Sequence, residues 1–138
     1  MLRKKPSPAP APSARPLSII VADDVEDITK LIAQILGEAG HDVTSVGSGR
    51  ELMKAVRERT FDLVITDIVM PDGDGHDVIA AMGRLAPTTR IIAISGGGKL
   101  MPTDPGLRLA KGLGADAVLT KPFTHAQLLA AVAKATAR

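Results

Sequence analysis

Polar side chains that could act together follow four short apolar runs of this chain. The runs end in Asp23 and Asp24, in Asp67, in Ser95 and in Lys121. Three carboxylates that converge repel one another unless a cation joins them, and their hard oxygen ligands suit Mg²⁺, which keeps several waters. The residue types therefore predict a magnesium site, provided that the fold brings the ends of these runs to one place.

Segments of helical periodicity alternate with the apolar runs. The runs cover residues 19–22, 63–66, 91–94 and 118–120, and a weaker, more polar one covers 43–46. Because runs that are apolar on both sides need cover on both sides, this β-α order, repeated five times, predicts a doubly wound five-stranded parallel sheet. Ligands of such sheets bind outside the carboxyl ends of the strands, where Asp23, Asp67 and Lys121 would fall.

Apolar residues at helical spacing predict five helices, of which the fourth is short or reshaped. The expected inward faces are Ile28, Leu31, Ile32, Ile35 and Leu36; Leu52, Met53 and Val56; Val78, Ile79, Met82 and Leu85; and Leu128, Leu129 and Val132. Thr124 is expected to cap the last helix. The fourth helix is restricted to 107–111 because the surrounding segment, 96–114, is rich in glycine and proline.

Length and composition restrict the class of protein. The 138 residues, 45% of them hydrophobic, suffice for one domain with its own core, and the chain has no cysteine. No apolar stretch approaches the ~20 residues of a membrane span, so a cytoplasmic protein without membrane contact is expected. Residues 1–16 are rich in proline and alanine and are predicted to be a disordered tail, and the domain is predicted to span 17–138.

The formal net charge of +2 depends on the tail. Removing Arg3, Lys4, Lys5 and Arg15 from the 17 basic residues leaves 13 against 15 acidic ones, a balance of −2. The chain also has no Trp or Tyr that could stack on bases. Nucleic acid is therefore not an expected partner.

In their order along the chain, these polar residues resemble the motifs of the response regulator receiver domain of two-component signalling. The matching motifs are Asp23-Asp24, Asp67 with the following Met70-Pro71 and Asp74-Gly75, Ser95, and Lys121-Pro122. Each motif alone is weak, but the ordered set is specific and extends over 17–138. The resemblance implies a flavodoxin-like sheet with strand order 2-1-3-4-5 and a stand-alone, single-domain regulator.

The resemblance also implies what the acidic residues do. Asp67 would accept a phosphoryl group from a sensor histidine kinase or from a histidine phosphotransfer protein of a phosphorelay. Phosphoryl transfer to a carboxylate gives an acyl phosphate. Mg²⁺ would be held by Asp23, Asp24, Asp67 and the backbone carbonyl of Val69.

Residues beyond the acids would complete the switch. Ser95 and Lys121 would bind phosphoryl oxygens, and Gly96 would keep the site accessible. Pro122 would follow a cis peptide bond. A downstream protein would recognise the change in the loop after Ser95 and on the face formed by the fourth helix, fifth strand and fifth helix.

Two features depart from the family pattern and keep other functions open. Val118 stands where the family usually has an aromatic residue that moves on activation, and the segment between Ser95 and Lys121 is longer than usual. A phosphorylation-independent interaction module of the same fold is the alternative that these departures permit.

A flavodoxin-fold aspartyl-phosphate phosphatase is a third class of function. Such an enzyme commonly has a second acid two residues after its nucleophile, where this chain has Val69, so the sequence disfavours this class. Slow self-hydrolysis of the phosphoryl group is the only enzymatic activity retained.

Overall fold

The computed structural model describes residues 16–70, 73–95, 112 and 114–137. The strands are β1 (Ser18–Ala22), β2 (Asp42–Val46), β3 (Leu63–Asp67), β4 (Val69–Met70), β5 (Gly73–Asp74), β6 (Arg90–Ser95) and β7 (Ala117–Thr120). The helices are α1 (Glu26–Glu38), α2 (Gly49–Glu58), α3 (Gly75–Leu85) and the C-terminal helix (His125–Thr136). No helix in these ranges is long and apolar enough to cross a membrane. The predicted tail, except for residue 16, and the predicted fourth helix lie outside the described residues.

Five strands form one parallel sheet in the order β2-β1-β3-β6-β7. Because β6 and β7 are the fourth and fifth strands of this sheet along the chain, the predicted order 2-1-3-4-5 is confirmed. The short strands β4 and β5 pair with each other in antiparallel orientation, outside the main sheet. The order makes β1 and β3 direct neighbours, so the residues that follow them lie side by side at the carboxyl edge.

Apolar side chains alternate between the two faces of the sheet and build a core on each. One core contains Ile19, Val21, Ile65, Ile32 and Leu128, from the strands, α1 and the C-terminal helix. The other contains Ile20, Val64, Leu52, Ile79 and Met82, from the strands, α2 and α3. Each large side chain buried in this way contributes about 2 kcal/mol of transfer free energy. The central strands are therefore held from both faces, which explains their unbroken apolar sequence.

Three leucines that the helical spacing placed in the core are partly exposed. Leu31, Leu85 and Leu129 are 45%, 49% and 38% exposed, respectively, so their prediction as inward residues was wrong. With ~100° between successive helical residues, Leu31 and Leu129 lie roughly 100° from the centre of the buried side of their helices. Leu85 is the last residue of α3. The sheet covers a narrower stripe of each helix than the apolar pattern suggests.

A capping box fixes the start of the C-terminal helix. The Thr124 hydroxyl oxygen accepts a hydrogen bond from the Gln127 backbone N–H at 3.0 Å, and the Thr124 N–H donates to Gln127 Oε1 at 2.8 Å. Thr124→Ala removes the first of these bonds and should lower the free energy of unfolding by about 1 kcal/mol. Urea denaturation followed by circular dichroism measures this loss. Thr88→Ala, in an exposed turn, should change stability little; an equal loss in both variants would contradict the assignment.

His41 couples stability to pH at the amino edge of the sheet. Its Nδ1 accepts a hydrogen bond from the Leu17 backbone N–H at 3.0 Å, and burial lowers the pKa of the imidazole from 6.5. The folded state therefore prefers neutral His41. This contribution to stability is present above pH 6.5 and is lost as the pH falls through the lower, folded-state pKa.

His41→Asn should reduce the loss of stability on acidification. The asparagine amide does not titrate, so the unfolding free energy of this variant should fall less than that of the parent between about pH 7.5 and pH 5. Urea denaturation at each pH gives the comparison. His125→Asn, at an exposed position, is the matched control and should follow the parent. Parallel curves for the His41 variant and the parent would contradict the coupling.

Candidate functional site

Strand register places the polar residues in one row at the carboxyl edge of the sheet. Ala22, the last residue of β1, pairs with Thr66, and Asp67 pairs with Ile94. Ser95 in turn pairs with Thr120, the residue before Lys121. The residues that follow the four apolar runs therefore reach the same level, as the parallel sheet predicted.

The three predicted acidic residues converge. A carboxylate oxygen from each of Asp23, Asp24 and Asp67 lies within 4.8 Å of the others. Asp23 and Asp67 are only 1% and 4% exposed, whereas Asp24 is exposed. The cluster is thus open on one side, through Asp24, and closed by protein around the other two carboxylates.

Local hydrogen bonds hold the Asp23 carboxylate in place. Its Oδ1 accepts from the Val25 backbone N–H at 2.9 Å, and the Asp23 backbone N–H donates to the Val46 carbonyl at 3.3 Å. Val25 precedes α1 and has no capping side chain of its own. Asp23 therefore accepts a hydrogen bond from an amide at the start of α1 with Oδ1, while Oδ2 lies beside Lys121.

The Lys121 ammonium lies between two of the carboxylates. Its Nζ is 2.7 Å from Asp23 Oδ2 and 3.1 Å from Asp67 Oδ2. The contact with Asp23 is close enough for an ion pair but lacks hydrogen-bond geometry, and within the described residues Asp23 Oδ2 is buried without a hydrogen-bond partner. Burial by itself lowers the pKa of Lys121, but the contacts and charges of Asp23 and Asp67 outweigh it and raise the pKa above 10.5.

Backbone contacts fix the base of the lysine. The Lys121 N–H donates to the Ser95 carbonyl at 2.8 Å, and the peptide bond between Lys121 and Pro122 is cis. Ser95 is 3% exposed at the end of β6. The hydrogen bond from Lys121 to Ser95 connects the ends of β6 and β7, so the ammonium group extends across the edge from a fixed backbone position.

The structure gives fewer details for three other predicted residues, namely Val69, Gly96 and Val118. Val69 begins β4, two residues after Asp67, and Gly96 lies outside the described residues. Val118 is half-buried and packs against the core next to α2 and α3. An aliphatic side chain therefore packs where the family's aromatic residue would be.

Sequence reasoning missed the role of Thr66. This side chain is fully buried, and its hydroxyl donates a hydrogen bond to the Asp67 backbone carbonyl at 3.0 Å. A buried hydroxyl needs such a partner, since an unpaired one is costly. The available signal was a polar residue in an otherwise apolar run immediately before Asp67.

The residues at this edge fit a divalent cation. Three carboxylates can each supply an oxygen, and Asp23 Oδ2 is a buried anionic oxygen without a hydrogen bond in the described part of the chain. Such all-oxygen sites suit Mg²⁺, which binds through one or two carboxylates and retains waters. The exposed side of the cluster, at Asp24, leaves access for those waters.

Comparison with known proteins gives a consistent picture. A family model described as response regulator receiver domain matches residues 19–133. The transcriptional regulator NtrC of Azospirillum brasilense is 36% identical over 118 residues, which are 86% of this chain but 24% of the relative. The receiver protein CpdR of Brucella abortus is 33% identical over 76% of this chain and 84% of its own length.

A solved structure extends the comparison to the fold. The chemotaxis response regulator CheY4 of Vibrio cholerae superposes with a TM-score of 0.77 at 25% identity and covers 86% of this chain and 97% of its own. The chain spans less than half the length of the first curated relatives that it matches, 24% and 43% of two of them. What those longer proteins do as wholes is therefore not transferred to this chain.

Proposed function

Because the chain belongs to the response regulator receiver domain family of two-component signalling, we propose that it is a phosphoacceptor switch in which Asp67 is the acceptor. The donor would be the phosphohistidine of a sensor histidine kinase or a histidine phosphotransfer protein. The observation that carries the proposal is the position of the Asp67 carboxylate, 3.1 Å from the Lys121 ammonium and within 4.8 Å of a carboxylate oxygen of each of two further acids.

The reaction forms one bond and breaks one. A carboxylate oxygen of Asp67 attacks the phosphorus atom and forms a P–O bond, while the P–N bond to the histidine breaks. The imidazole leaves with the electron pair of that bond, and Asp67 becomes an acyl phosphate. Because the Asp67 backbone is anchored within β3 and by the Thr66 hydroxyl, its carboxylate needs little reorganisation before attack.

Positive charge and hydroxyl donors would stabilise the transferred group. Lys121 would interact with one phosphoryl oxygen, and the Ser95 hydroxyl would donate to another, which spreads the charge of the transition state. Bound Mg²⁺, held by Asp23, Asp24, Asp67 and the Val69 carbonyl, would neutralise further negative charge on the phosphoryl oxygens. The lysine already lies beside Asp67, which supports this assignment.

Phosphorylation would be transmitted through Ser95. A hydrogen bond from its hydroxyl to a phosphoryl oxygen would exist only while the phosphoryl group is present, and such a differential contact is what shifts an equilibrium between two conformations. The segment after Ser95 follows directly from β6. Its two arrangements would be recognised by a downstream protein, together with β7 and the C-terminal helix.

A groove on that face supports protein docking. It has a volume of ≈ 510 Å³ and lies between β7 and the C-terminal helix, lined among others by Val118, Lys121 and Gln127. Since Lys121 contacts both this groove and Asp67, a change at the acceptor would reach the groove through one side chain. Output through a partner protein, rather than through an enzymatic activity beyond slow self-hydrolysis, is therefore proposed.

Intact-mass spectrometry tests the proposal. Incubation with Mg²⁺ and acetyl phosphate should add one phosphoryl group, and omission of Mg²⁺ or addition of EDTA should reduce the gain strongly. The acetate leaves in this reaction as the imidazole does in the other. No gain with several small phosphodonors and a panel of histidine kinases would overturn the proposal in favour of a phosphorylation-independent interaction module, which the aliphatic Val118 favours.

A further inference from the structure

We propose that the basic, proline-rich tail of this chain, residues 1–16, binds as an extended intramolecular ligand in the groove between α1 and the C-terminal helix. The groove has a volume of ≈ 370 Å³. Its lining residues are Leu31, Gln34, Ile35, Glu38, Phe123 and His125. None of them belongs to the acidic cluster, so the proposal does not depend on phosphoryl transfer.

The groove presents apolar surface of the kind that binds proline-rich segments. Leu31 is 45% exposed on α1, and the half-buried Phe123 packs against the core on the same side of the sheet. Such segments bind grooves that contain aromatic side chains, because their extended conformation is largely formed before binding. A chain of this composition forms no core of its own, but it can lie in a groove. The prolines that the tail offers are Pro6, Pro8, Pro10 and Pro12.

The tail leaves the domain beside one end of this groove. Leu17, the residue after the tail, donates its backbone N–H to His41 Nδ1 at 3.0 Å and packs against the core that contains α1 and the C-terminal helix. His41 comes three residues after Glu38, which ends α1 and lines the groove. The distance from Glu38 to Leu31 along α1 is ~10 Å, and the five residues before Leu17 span ~15 Å when extended. The tail therefore reaches the groove without a change in the domain.

Charge at the end of α1 favours this occupant. Helix α1 carries three acidic residues and one lysine, a balance of −2, and has no basic residue in its last turn. Its lysine, Lys30, pairs with Glu26 in the first turn at 3.7 Å. Glu38 therefore stands at the negative end of the helix macrodipole, an unfavourable position that a nearby cation relieves. Arg15 is two residues from the fixed Leu17, and the tail carries four basic residues and no acid.

The opposite face of the sheet lacks this complementarity. Helix α2 carries three basic and two acidic residues, a balance of +1, so it does not attract a positively charged segment. The tether adds a second preference. It gives the tail an effective concentration at the groove on the order of millimolar, so the tail of the same molecule outcompetes that of a second copy in dilute solution.

Paramagnetic relaxation in the full chain tests the proposal. The chain has no cysteine, so Ala9→Cys gives a single site in the tail for a nitroxide label. With the label oxidised, the backbone amide signals of residues 31–38 should lose most of the intensity that they have with the label reduced. The signals of α2 and α3, on the other face of the sheet, should lose little. Equal losses on both faces, or no loss in residues 31–38, overturn the inference.

Two pairs of variants of the labelled protein separate binding in the groove from diffuse attraction. Glu38→Lys, at the last residue of α1, and Leu31→Gln should each restore most of the lost intensity. The matched controls are Glu58→Lys, at the last residue of α2, and Leu85→Gln, at the last residue of α3. They should leave the signal loss as it is in the parent. All four positions are exposed, and the spectra report whether each variant is folded. A signal loss that persists in either groove variant overturns the inference.

A mixed sample identifies the molecule that supplies the tail. When spin-labelled protein at natural isotope abundance is mixed with isotope-enriched protein without a label, only the tail of a second molecule can broaden the observed signals. No broadening is expected. Broadening of residues 31–38 in this sample would assign the groove to a second copy and overturn the intramolecular assignment. Phosphorylation of Asp67 is measured separately, so failure of this inference leaves the proposed function in place.

Discussion

Asp67→Asn is expected to abolish phosphorylation by acetyl phosphate, lowering the rate by roughly 100-fold or more. The asparagine amide has nearly the same shape but no anionic oxygen to attack phosphorus. Asp67 is 4% exposed at the end of β3 and lies 3.1 Å from Lys121. The loss should therefore come from the missing nucleophile and not from a rearranged backbone. Intact-mass spectrometry over time gives the rate.

Asp27→Asn is the matched control for this experiment. Asp27 is an exposed acid in the first turn of α1, near the same edge of the sheet, and its replacement should leave the phosphoryl gain close to that of the parent. The added group should also be lost in hydroxylamine, as expected of an acyl phosphate. A phosphoryl group that persists in Asp67→Asn, resistant to hydroxylamine, would assign the modification to another residue.

Lys121→Met should lower the free energy of unfolding by about 3 kcal/mol in the absence of divalent cations. The variant keeps an apolar stem of similar length but leaves Asp23, whose side chain is 0% exposed, without its cation at 2.7 Å. Removing one partner of a buried ion pair is costly because the other charge stays buried and unpaired. Because the chain has no Trp or Tyr, urea denaturation followed by far-ultraviolet circular dichroism is the suitable measurement.

Two comparisons separate this effect from a general loss of packing. In the double variant Lys121→Met with Asp23→Asn, the buried carboxylate that has lost its cation is replaced by a neutral amide. The free energy of unfolding of the double variant should therefore recover most of what Lys121→Met loses. Mg²⁺ should also stabilise Lys121→Met more than the parent, because the cation would neutralise the Asp23 charge that this variant leaves unpaired, and a ligand that binds only the folded state adds RT ln(1 + [L]/Kd) to the free energy of unfolding. A double variant as unstable as the single one would show that the lysine acts through packing alone.

Several parts of this fold could be read from the sequence because each depends on local pattern. The unbroken apolar run before Asp67 requires cover on both faces, and both faces of β3 are indeed packed. The Thr124 cap depends on residues only three positions apart, so it too was predictable. Leu31 and Leu129 were misplaced because hydrophobicity alone does not define how wide a stripe of a helix the sheet covers.

The sequence by itself determined which polar residues lie at the carboxyl edge and in what order. Each of them lies at the end of a strand or just after it, and the carboxyl ends of parallel strands meet at one edge of the sheet. Only the tertiary structure decided how they meet. It directs one oxygen of Asp23 to the start of α1 and the other to Lys121, across 98 residues of chain, and it bonds Thr66 to the Asp67 carbonyl. The contact between Asp23 and Lys121 depends on strand register and side-chain direction, which no local pattern encodes, and it sets the charge balance of the site.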